Sequence, residues 1–372
     1  MIYLDNAATT RMRDEVLDKM LPYMTERYGN PSSGYGLARE SKKAIDDARE
    51  TIRGIIGAEK TSEILFTSSG TESDNTAIKG IMSREGSDRE AVTSSYEHHA
   101  VLNSFASLED KGYTVRYLRP NGIGIIEPDF LEQAVTETTS LVSIMYVNNE
   151  TGSINNIKEL SARAHEKGAV FHTDAVQAVG HLNINVKDLG VDMLSASAHK
   201  FYGPKGIGFL YVKDGVRYDS LVDGGSQERG KRAGTENVAA IVGMAEALRL
   251  AADELEREKI RLKDLKRDLA GRLLREFPCA VINGSVEENM PGILNVSFTG
   301  KRNDMMVARL DMEGICISAG AACTAGTTDH SHVLTAIGLT EERTASAVRF
   351  SFGRYNTKKD IDVLMDVLRK VL

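Results

Sequence analysis

Cysteine is scarce in this chain. Its 372 residues include three cysteines, Cys279, Cys316 and Cys323, and no two of them form a C-x-x-C pair. So few sulfur ligands without paired spacing argue against a structural zinc site and against a disulfide-stabilised scaffold. The same scarcity favours a reducing compartment.

Clusters of positive charge and long apolar runs are also absent. The chain carries 46 basic and 53 acidic residues, a formal net charge of −7, which argues against direct binding of nucleic acid. No run of 18 apolar residues occurs, and no basic segment precedes the short apolar run at the N-terminus. With 41% hydrophobic and 27% charged residues, the composition is that of a globular protein. We expect a cytoplasmic protein that has no membrane contact.

What the sequence does contain is a lysine in a setting that suits the capture of an aldehyde. Lys200 ends the segment Ser197–Lys200 and precedes a glycine-rich stretch, and Asp174 ends an earlier apolar run that predicts a strand. Pyridoxal phosphate requires an amine that forms a Schiff base and an acidic partner that keeps its pyridine nitrogen protonated. Each residue alone has a simpler explanation, because lysines are mostly exposed and an aspartate after a strand is often a helix cap.

Polar groups follow three other predicted strands. The apolar run Glu63–Phe66 leads into a hydroxyl-rich turn, Thr67–Ser73, which predicts a helix start that binds phosphate. His98 and Asn149 follow the next two strand-like runs. Ligands of an open parallel sheet bind beyond the carboxyl ends of its strands, so these groups indicate one site. Taken singly, they are equally typical of a helix cap, a structural histidine and a turn residue.

Short motifs lie in a fixed order along the whole chain, and together they resemble a known family. They are Tyr3–Thr10, Gly29–Ser33, Thr71–Asn75, Glu97–His98, Val147–Glu150, Asp174–Gln177, Ser197–Lys200, Arg232–Thr235, Ser318–Thr324 and Arg349–Ser351. In these motifs the chain is similar to the group I cysteine desulfurases of the NifS/IscS type. That group belongs to the class V aminotransferase branch of the fold-type I pyridoxal-phosphate enzymes.

The resemblance implies a role for each matching residue. Lys200 would hold pyridoxal 5′-phosphate as a Schiff base, Asp174 would face its pyridinium nitrogen, and His98 would stack on its ring. Further cofactor contacts would come from Gly70, Thr71, Asn149, Gln177, Ser197 and His199, and from Thr235 of the second subunit of a homodimer. The carboxylate of L-cysteine would be bound by Asn30, Asn149 and Arg349, a task that suits the guanidinium fork.

Cys323 would be the nucleophile. The resemblance implies that its thiolate attacks the sulfur of L-cysteine, which leaves L-alanine and a persulfide on the enzyme. The residues around it, Ser318–Thr328, are small and include glycines, which predicts a mobile loop. The simpler interpretation is a small buried hydrophobic residue, the usual environment of a free cysteine. Cys279 and Cys316 keep that interpretation.

Several functional alternatives remain open. A class V aminotransferase shares the lysine and the aspartate but needs no loop cysteine, a selenocysteine lyase uses nearly the same residues, and a non-catalytic scaffold would need none of them. The sulfur acceptor would be an iron–sulfur scaffold protein or a tRNA-thiolation enzyme. Many group I relatives continue beyond the final helix with a tail that docks a scaffold, whereas this chain ends at Leu372, which weakens the first of these acceptors.

The expected fold is α/β, that of a fold-type I pyridoxal-phosphate-dependent transferase. The family resemblance implies a large cofactor-binding domain with a mainly parallel sheet over residues 13–250, and a smaller α+β domain that carries the cysteine loop over residues 1–12 and 251–372. A leucine stripe predicts one long helix from about Asn237 to Phe277. Strands are predicted at 292–298, 314–318 and 347–352.

Overall fold

The computed structural model describes residues 1–320 and 331–372 of the chain. Helices and strands alternate through much of its length. In chain order they are β1 (Ile2–Tyr3), α1 (Asp14–Thr25), α2 (Gly36–Ile56), β2 (Ile64–Thr67), α3 (Gly70–Glu85), β3 (Glu90–Ser94), α4 (His99–Glu109), β4 (Thr114–Leu118), α5 (Pro128–Ala134), β5 (Thr139–Ser143), α6 (Ile157–His165), β6 (Val170–Asp174), α7 (Val186–Leu189), β7 (Met193–Ser197), β8 (Gly208–Val212), α8 (Gln227–Gly230), α9 (Val238–Glu276), β9 (Ala280–Asn283), β10 (Ile293–Phe298), α10 (Asn303–Met312), β11 (Ile315–Cys316), α11 (His332–Ala336), α12 (Glu341–Ala345), β12 (Ala347–Ser351) and α13 (Lys358–Val371).

A seven-stranded sheet lies at the centre, in the order β2-β8-β7-β6-β5-β3-β4. Strands β7, β6, β5, β3 and β4 are parallel, while β8 runs antiparallel to both of its neighbours. Strands β5 and β7 are buried along their whole length, as expected where helices cover both faces of a sheet. The predicted α/β fold with a mainly parallel sheet is confirmed.

Two smaller sheets are built from the C-terminal part of the chain and the N-terminus. Strands β12, β10 and β9 form an antiparallel sheet, and β1 pairs in parallel with β11. Just beyond β1, Asp5 forms a parallel bridge with Ser351 of β12. The first residues of the chain are therefore fixed against elements that lie more than 300 residues later in the sequence.

Helix α9 connects the two parts of the molecule. It runs for 39 residues, and the side chain of Asn237 caps it by accepting a hydrogen bond from the Ala240 N–H. Its first half contacts α1 and α2, and it also contacts β9, β10 and α13. The leucine stripe is buried at Leu248, Leu262, Leu265, Leu269 and Leu273. The long helix predicted from this stripe is present with nearly the predicted bounds.

Among the described residues, buried apolar side chains form two clusters on the central sheet, a third one around the small sheets and a small fourth one at Leu334, Ile337 and Ala347. The third cluster joins Leu4 to side chains from Leu262 onward, including Phe298, Phe350 and Leu368. The division into two domains, with bounds at residues 12 and 250, remains a prediction. In the described part of the chain, no helix is long and apolar enough to cross a membrane.

We predict that Leu269→Ala lowers the free energy of unfolding by about 2–5 kcal/mol, because it leaves a cavity in the third cluster. Leu269 is fully buried, whereas Leu274 on the same helix is 52% exposed. Leu274→Ala is therefore the matched control, with an expected change within about 0.5 kcal/mol. Urea unfolding measures both values. Equal losses in the two variants would contradict the described packing of α9.

Candidate active site

A cavity of about 220 Å³ lies beyond the carboxyl ends of β5, β6 and β7, where α3 begins. Most of the residues predicted from strand ends and from the family resemblance share its wall. These are Gly70, Thr71, His98, Asn149, Asp174, Gln177, Ser197, His199, Lys200 and Arg349. The fold thus brings together side chains that are spread over 280 positions of sequence, as the rule for parallel sheets predicts.

Lys200 ends a short 3₁₀ turn that directly follows β7. Its Nζ donates hydrogen bonds to the main-chain oxygens of Ala7 and Ala8, at 2.8 and 2.7 Å. Its own carbonyl oxygen accepts a hydrogen bond from Nε2 of the half-buried His181, at 2.9 Å. The lysine is therefore held at both ends, and its amine is directed into the cavity wall formed by the N-terminal segment.

Asp174 is the last residue of β6 and is almost completely buried. One carboxylate oxygen accepts a hydrogen bond from the Val176 N–H at 2.9 Å. Burial raises the pKa of Asp174 to about 6, while this hydrogen bond and the charge of Lys200 act in the opposite direction. The carboxyl group is therefore mostly ionised at neutral pH, the state needed to stabilise a protonated ring nitrogen.

His98 presents an uncharged ring to the cavity. It caps α4, and its Nδ1 accepts a hydrogen bond from the Ala100 N–H at 3.1 Å. Burial and the neighbouring Lys200 lower the pKa of His98 to about 4. An uncharged planar ring in an apolar setting suits stacking against another planar ring.

The start of α3 supplies N–H groups without helical partners. Ser69 is the N-cap, and its Oγ accepts a hydrogen bond from the Glu72 N–H at 3.2 Å. A Cβ at Gly70 would lie 2.6 Å from a Val176 methyl carbon, so this wall of the cavity requires glycine. The predicted helix start is present, with a serine cap and an N-terminus that opens into the cavity. Such a terminus can bind phosphate through its N–H groups and its dipole.

Ser197 and His199 line the same cavity from β7 and the turn after it, and the Ser197 side chain lies beside Gly70 of this helix start. His199 Nδ1 is 3.1 Å from the Thr9 hydroxyl oxygen. Burial and the charge of Lys200 lower the pKa of His199 to about 4, so its ring is neutral at neutral pH. This neutral ring can donate one hydrogen bond to an anion without adding charge.

Arg349 provides the largest positive group in the cavity wall. It is 1% exposed, and its Nη1 donates a hydrogen bond to the Asn149 main-chain oxygen at 2.7 Å. Gln177 lies nearby in the same wall, where its Nε2 donates to the Ala7 oxygen at 2.9 Å. The cavity thus combines an amine, a carboxylate and a guanidinium group.

Three predicted residues are not part of this cavity in the described chain. Asn30 is exposed and does not line it, and its side-chain oxygen accepts a hydrogen bond from the Ser32 N–H at 3.0 Å. Thr235 lines a separate pocket together with Thr67, Ser68 and Gly206. Cys323 lies outside the described residues.

Sequence reasoning gave no role to two sets of residues that the cavity contains. Ala7 and Ala8 belong to a motif of the family resemblance, yet nothing in their residue type indicates that their carbonyl groups accept from Lys200. Asp74 also lines the cavity, one turn into α3. The sequence did contain a signal for a second polar layer beneath the cavity. His172 and Asp174 are alternate residues of β6, so both lie on the same face of the strand.

That second layer places the ring of His172 and two serine hydroxyl groups near Asp74 and supplies no positive charge to it. His172 is fully buried, and its ring nitrogens lie 2.8 and 2.9 Å from the hydroxyl oxygens of Ser143 and Ser195. Its Nε2 is 3.7 Å from Asp74 Oδ1, which has no hydrogen-bond partner. Burial lowers the pKa of His172 to about 3. Burial and the nearby Asp174 raise the pKa of Asp74 well above its usual range, so Asp74 is the protonated member of this carboxyl pair.

Comparison with known proteins agrees with the chemistry of the side chains that line the cavity. Residues 2–364 match the aminotransferase class-V family. Cysteine desulfurase IscS of Dictyoglomus turgidum (strain DSM 6724 / Z-1310) is 45% identical over 374 residues, which cover 100% of this chain and 94% of that protein. The chain belongs to the cysteine desulfurases of the class-V aminotransferase family.

Solved structures place the fold in the same group. A NifS-like protein superposes with a TM-score of 0.92 at 36% identity and covers 100% of this chain and 98% of its own. SspA, solved in complex with cysteine, superposes with a TM-score of 0.84 at 37% identity and covers 96% and 100%. As a member of this family, the protein is a pyridoxal-phosphate-dependent enzyme.

The cavity fits that cofactor by the chemistry of its groups. Lys200 offers an amine for the aldehyde, Asp174 an anionic oxygen for the ring nitrogen, and the start of α3 free N–H groups for the phosphate. Within residues 1–320 and 331–372, no group of three or more His, Cys, Asp or Glu side chains is placed to hold a metal ion.

We predict that Asp74→Asn stabilises the cofactor-free protein increasingly as the pH rises above the usual pKa of an aspartate carboxyl group. In the folded protein Asp74 stays protonated because its pKa is raised, whereas in the unfolded chain it ionises near its usual value, so folding loses stability as the pH increases above that value. Asparagine does not ionise. While Asp74 remains protonated, the advantage of the variant grows by about 1.4 kcal/mol per pH unit.

Urea unfolding at a series of pH values measures this difference, and the exposed Asp88→Asn serves as the control. The groups that face Asp74 are Asp174 and His172 on β6 and Glu97 after β3, and none of them supplies a positive charge at neutral pH. A constant difference between Asp74→Asn and the parent over this range would show that Asp74 is ionised in the fold.

Proposed function

We propose that this chain transfers the sulfur of L-cysteine to Cys323 and releases L-alanine. The observation that carries the proposal is one cavity that holds an amine, an ionised carboxylate, a neutral imidazole and a buried guanidinium group, on Lys200, Asp174, His98 and Arg349. Related proteins support the proposal as well, because the chain is similar over its full length to enzymes named cysteine desulfurase.

The cofactor contributes an aldehyde that captures amines and a ring that accepts electrons from a neighbouring carbanion. Lys200 would hold it through Nζ. When it is not bound to the cofactor, this Nζ lies within hydrogen-bond distance of the carbonyl groups of Ala7 and Ala8, which keep it inside the cavity. Lys200 is therefore the base that removes the proton from the α-carbon of cysteine and returns a proton later.

The other residues of the cavity orient the reactants. Asp174 would keep the ring nitrogen protonated, His98 would pack on the ring face, and Gln177 would contact the ring hydroxyl. N–H groups at Gly70 and Thr71 and the side chains of Ser197 and His199 would hold the phosphate. These assignments follow the family resemblance, and the positions of the side chains around one cavity support them.

Arg349 and Asn149 bind the α-carboxylate of the substrate. The guanidinium group points at the cavity from β12, and its Nε has no hydrogen-bond partner. An anionic ligand would satisfy that buried donor. Asn30 would join them only if its exposed loop reached the cavity when substrate is bound.

Cys323 performs the sulfur transfer. Its thiolate attacks Sγ of the substrate, so an S–S bond forms as the Cβ–Sγ bond of the substrate breaks. The electron pair of the broken bond passes to the carbon skeleton, which takes up a proton and leaves as alanine. The products are one alanine and one persulfide on Cys323 for each cysteine consumed, with no external oxidant or reductant.

We further propose that the enzyme works as a homodimer in which Thr235 of each subunit contacts the phosphate in the other. Two observations support this arrangement. Thr235 lies outside the main cavity of its own chain, and the same connection between β8 and α9 exposes two large apolar side chains on a loop before α8, Leu221 and Val222, which are 39% and 38% accessible. Apolar side chains on an exposed loop are typical of a surface that a partner covers.

The persulfide then passes to an acceptor protein in the cytoplasm. The proposed acceptors are an iron–sulfur scaffold protein and a tRNA-thiolation enzyme, and several relatives carry the name IscS. Sulfur transfer to each purified acceptor, followed with labelled cysteine, separates the two.

We predict that Cys323→Ser abolishes formation of both alanine and persulfide from L-cysteine, while the variant still binds the cofactor. The thiol acts after the substrate has bound, so its removal stops the second half of the reaction. Alanine is measured by chromatography and the persulfide by mass spectrometry of the intact protein. Cys279→Ser is the matched control and should behave like the parent. Equal alanine formation without Cys323, or transamination of cysteine, would contradict the proposed reaction.

We predict that Val222→Asp weakens the dimer, because it would place a charge in an apolar contact between subunits. Analytical ultracentrifugation of the cofactor-loaded protein over a range of concentrations measures the dimer dissociation constant. Met312→Asp is the control, since Met312 is 87% exposed at the end of α10, outside that loop. An unchanged dissociation constant for Val222→Asp, or a monomeric parent protein, would exclude this loop as the interface.

A further inference from the structure

Arg349 already has an anionic partner before any substrate binds. Its Nη2 donates a hydrogen bond to Asp5 Oδ1 at 2.6 Å, and its Nη1 is directed to the Asn149 oxygen. The side chain of Arg349 is 1% exposed and that of Asp5 is 17% exposed. One edge of the guanidinium group is thus occupied, and the donor at Nε remains unsatisfied.

The backbone around Asp5 is fixed to the strand that carries Arg349. Asp5 forms a parallel bridge with Ser351, two residues beyond Arg349. The Asn6 N–H and the Ala7 N–H donate to the carbonyl and the hydroxyl oxygen of Ser351, at 3.2 and 2.9 Å. The carboxylate of Asp5 therefore stays beside the guanidinium group as part of the folded frame, and its position does not depend on a ligand.

A buried arginine needs a compensating negative charge, because removal of one partner from a buried ion pair leaves an uncompensated charge. Asp5 already balances the charge of the Arg349 guanidinium group. A substrate carboxylate that approaches Arg349 is therefore the second anion beside it. The attraction between Arg349 and that carboxylate is consequently weaker than it would be for an unpaired arginine.

We infer that Asp5 is the resident counterion of Arg349 and that it limits how tightly the site binds the α-carboxylate of an amino acid. This inference rests on the proposed role of Arg349. Substrate cysteine and product alanine share the same α-carboxylate, so a limit on this contact acts on product release as well as on substrate binding. Asp5 is a positioning and affinity-setting residue that does not touch the reacting atoms.

The test uses Asp5→Asn in the cofactor-loaded enzyme, with L-alanine as the probe. Asparagine keeps an oxygen that accepts from Nη2 but removes the negative charge, so the ligand becomes the counterion of Arg349. We expect the dissociation constant of L-alanine, measured from the visible absorbance of the bound cofactor, to fall at least about tenfold. The affinity for ethylamine, which lacks the carboxylate, should stay unchanged.

Two further variants keep the test decisive. Asp5→Ser, which is also neutral, should tighten L-alanine binding in the same direction if Asp5→Asn does not fold. In an Arg349→Gln background the neutral substitution at position 5 should have no effect on L-alanine, because the two residues act as a pair. Asp14→Asn, on an exposed turn of α1, is the control for loss of one acidic residue.

The outcomes separate this inference from the proposed function. If Arg349→Gln leaves L-alanine affinity unchanged, the assignment of Arg349 to the substrate carboxylate is wrong. If Arg349→Gln weakens L-alanine binding but the neutral variants at Asp5 weaken it or leave it unchanged, the assignment of Arg349 stands and the role inferred for Asp5 is overturned. Tighter binding of both L-alanine and ethylamine would also overturn it.

Discussion

The amine of Lys200 donates to the main-chain oxygens of Ala7 and Ala8, and the arrangement of the whole site depends on this contact. Lys200 follows β7 of the central sheet, whereas Ala7 and Ala8 belong to an N-terminal segment that is held by β11 and β12. The contact therefore joins the two parts of the molecule at the point where the chemistry takes place. A change in how these parts pack would move the lysine relative to Arg349, which stands on β12.

Burial determines the charges of the site. His98 and His199 are neutral because burial and the positive charge of Lys200 lower their pKa values. Asp174 keeps its charge at neutral pH because Lys200 and a main-chain N–H stabilise the carboxylate, while Asp74, which has neither, stays protonated. The site therefore contains the carboxylate of Asp174, which suits a ring nitrogen, and the amine of Lys200. The charge of its arginine is balanced by Asp5.

Much of this arrangement could be predicted from the sequence, because it depends on local patterns. Polar residues at the ends of apolar runs predicted that His98, Asn149, Asp174 and Lys200 share a site, and the structure places all four around one cavity. The leucine stripe predicted α9 with nearly the observed bounds. Both results follow from periodicity and from the common direction of parallel strands.

Contacts between distant segments could not be predicted in this way. The carbonyl groups that hold Lys200 have no signature in residue type, since every residue carries one. The pairing of Asp5 with Arg349 spans 344 positions and depends on the register between the N-terminal segment and β12. Likewise, the protonation of Asp74 depends on how closely α3 packs on β6, which only the folded structure shows.

The central claim is that Lys200 is the residue that holds the cofactor, and one measurement tests it most directly. The protein is isolated with pyridoxal phosphate, reduced with borohydride, digested and mapped by mass spectrometry. The account predicts a single modified peptide, with the pyridoxyl group on Lys200, and no modified peptide from Lys200→Ala, while the exposed Lys205→Ala behaves like the parent. A pyridoxyl group on another lysine in the unaltered protein would contradict the account.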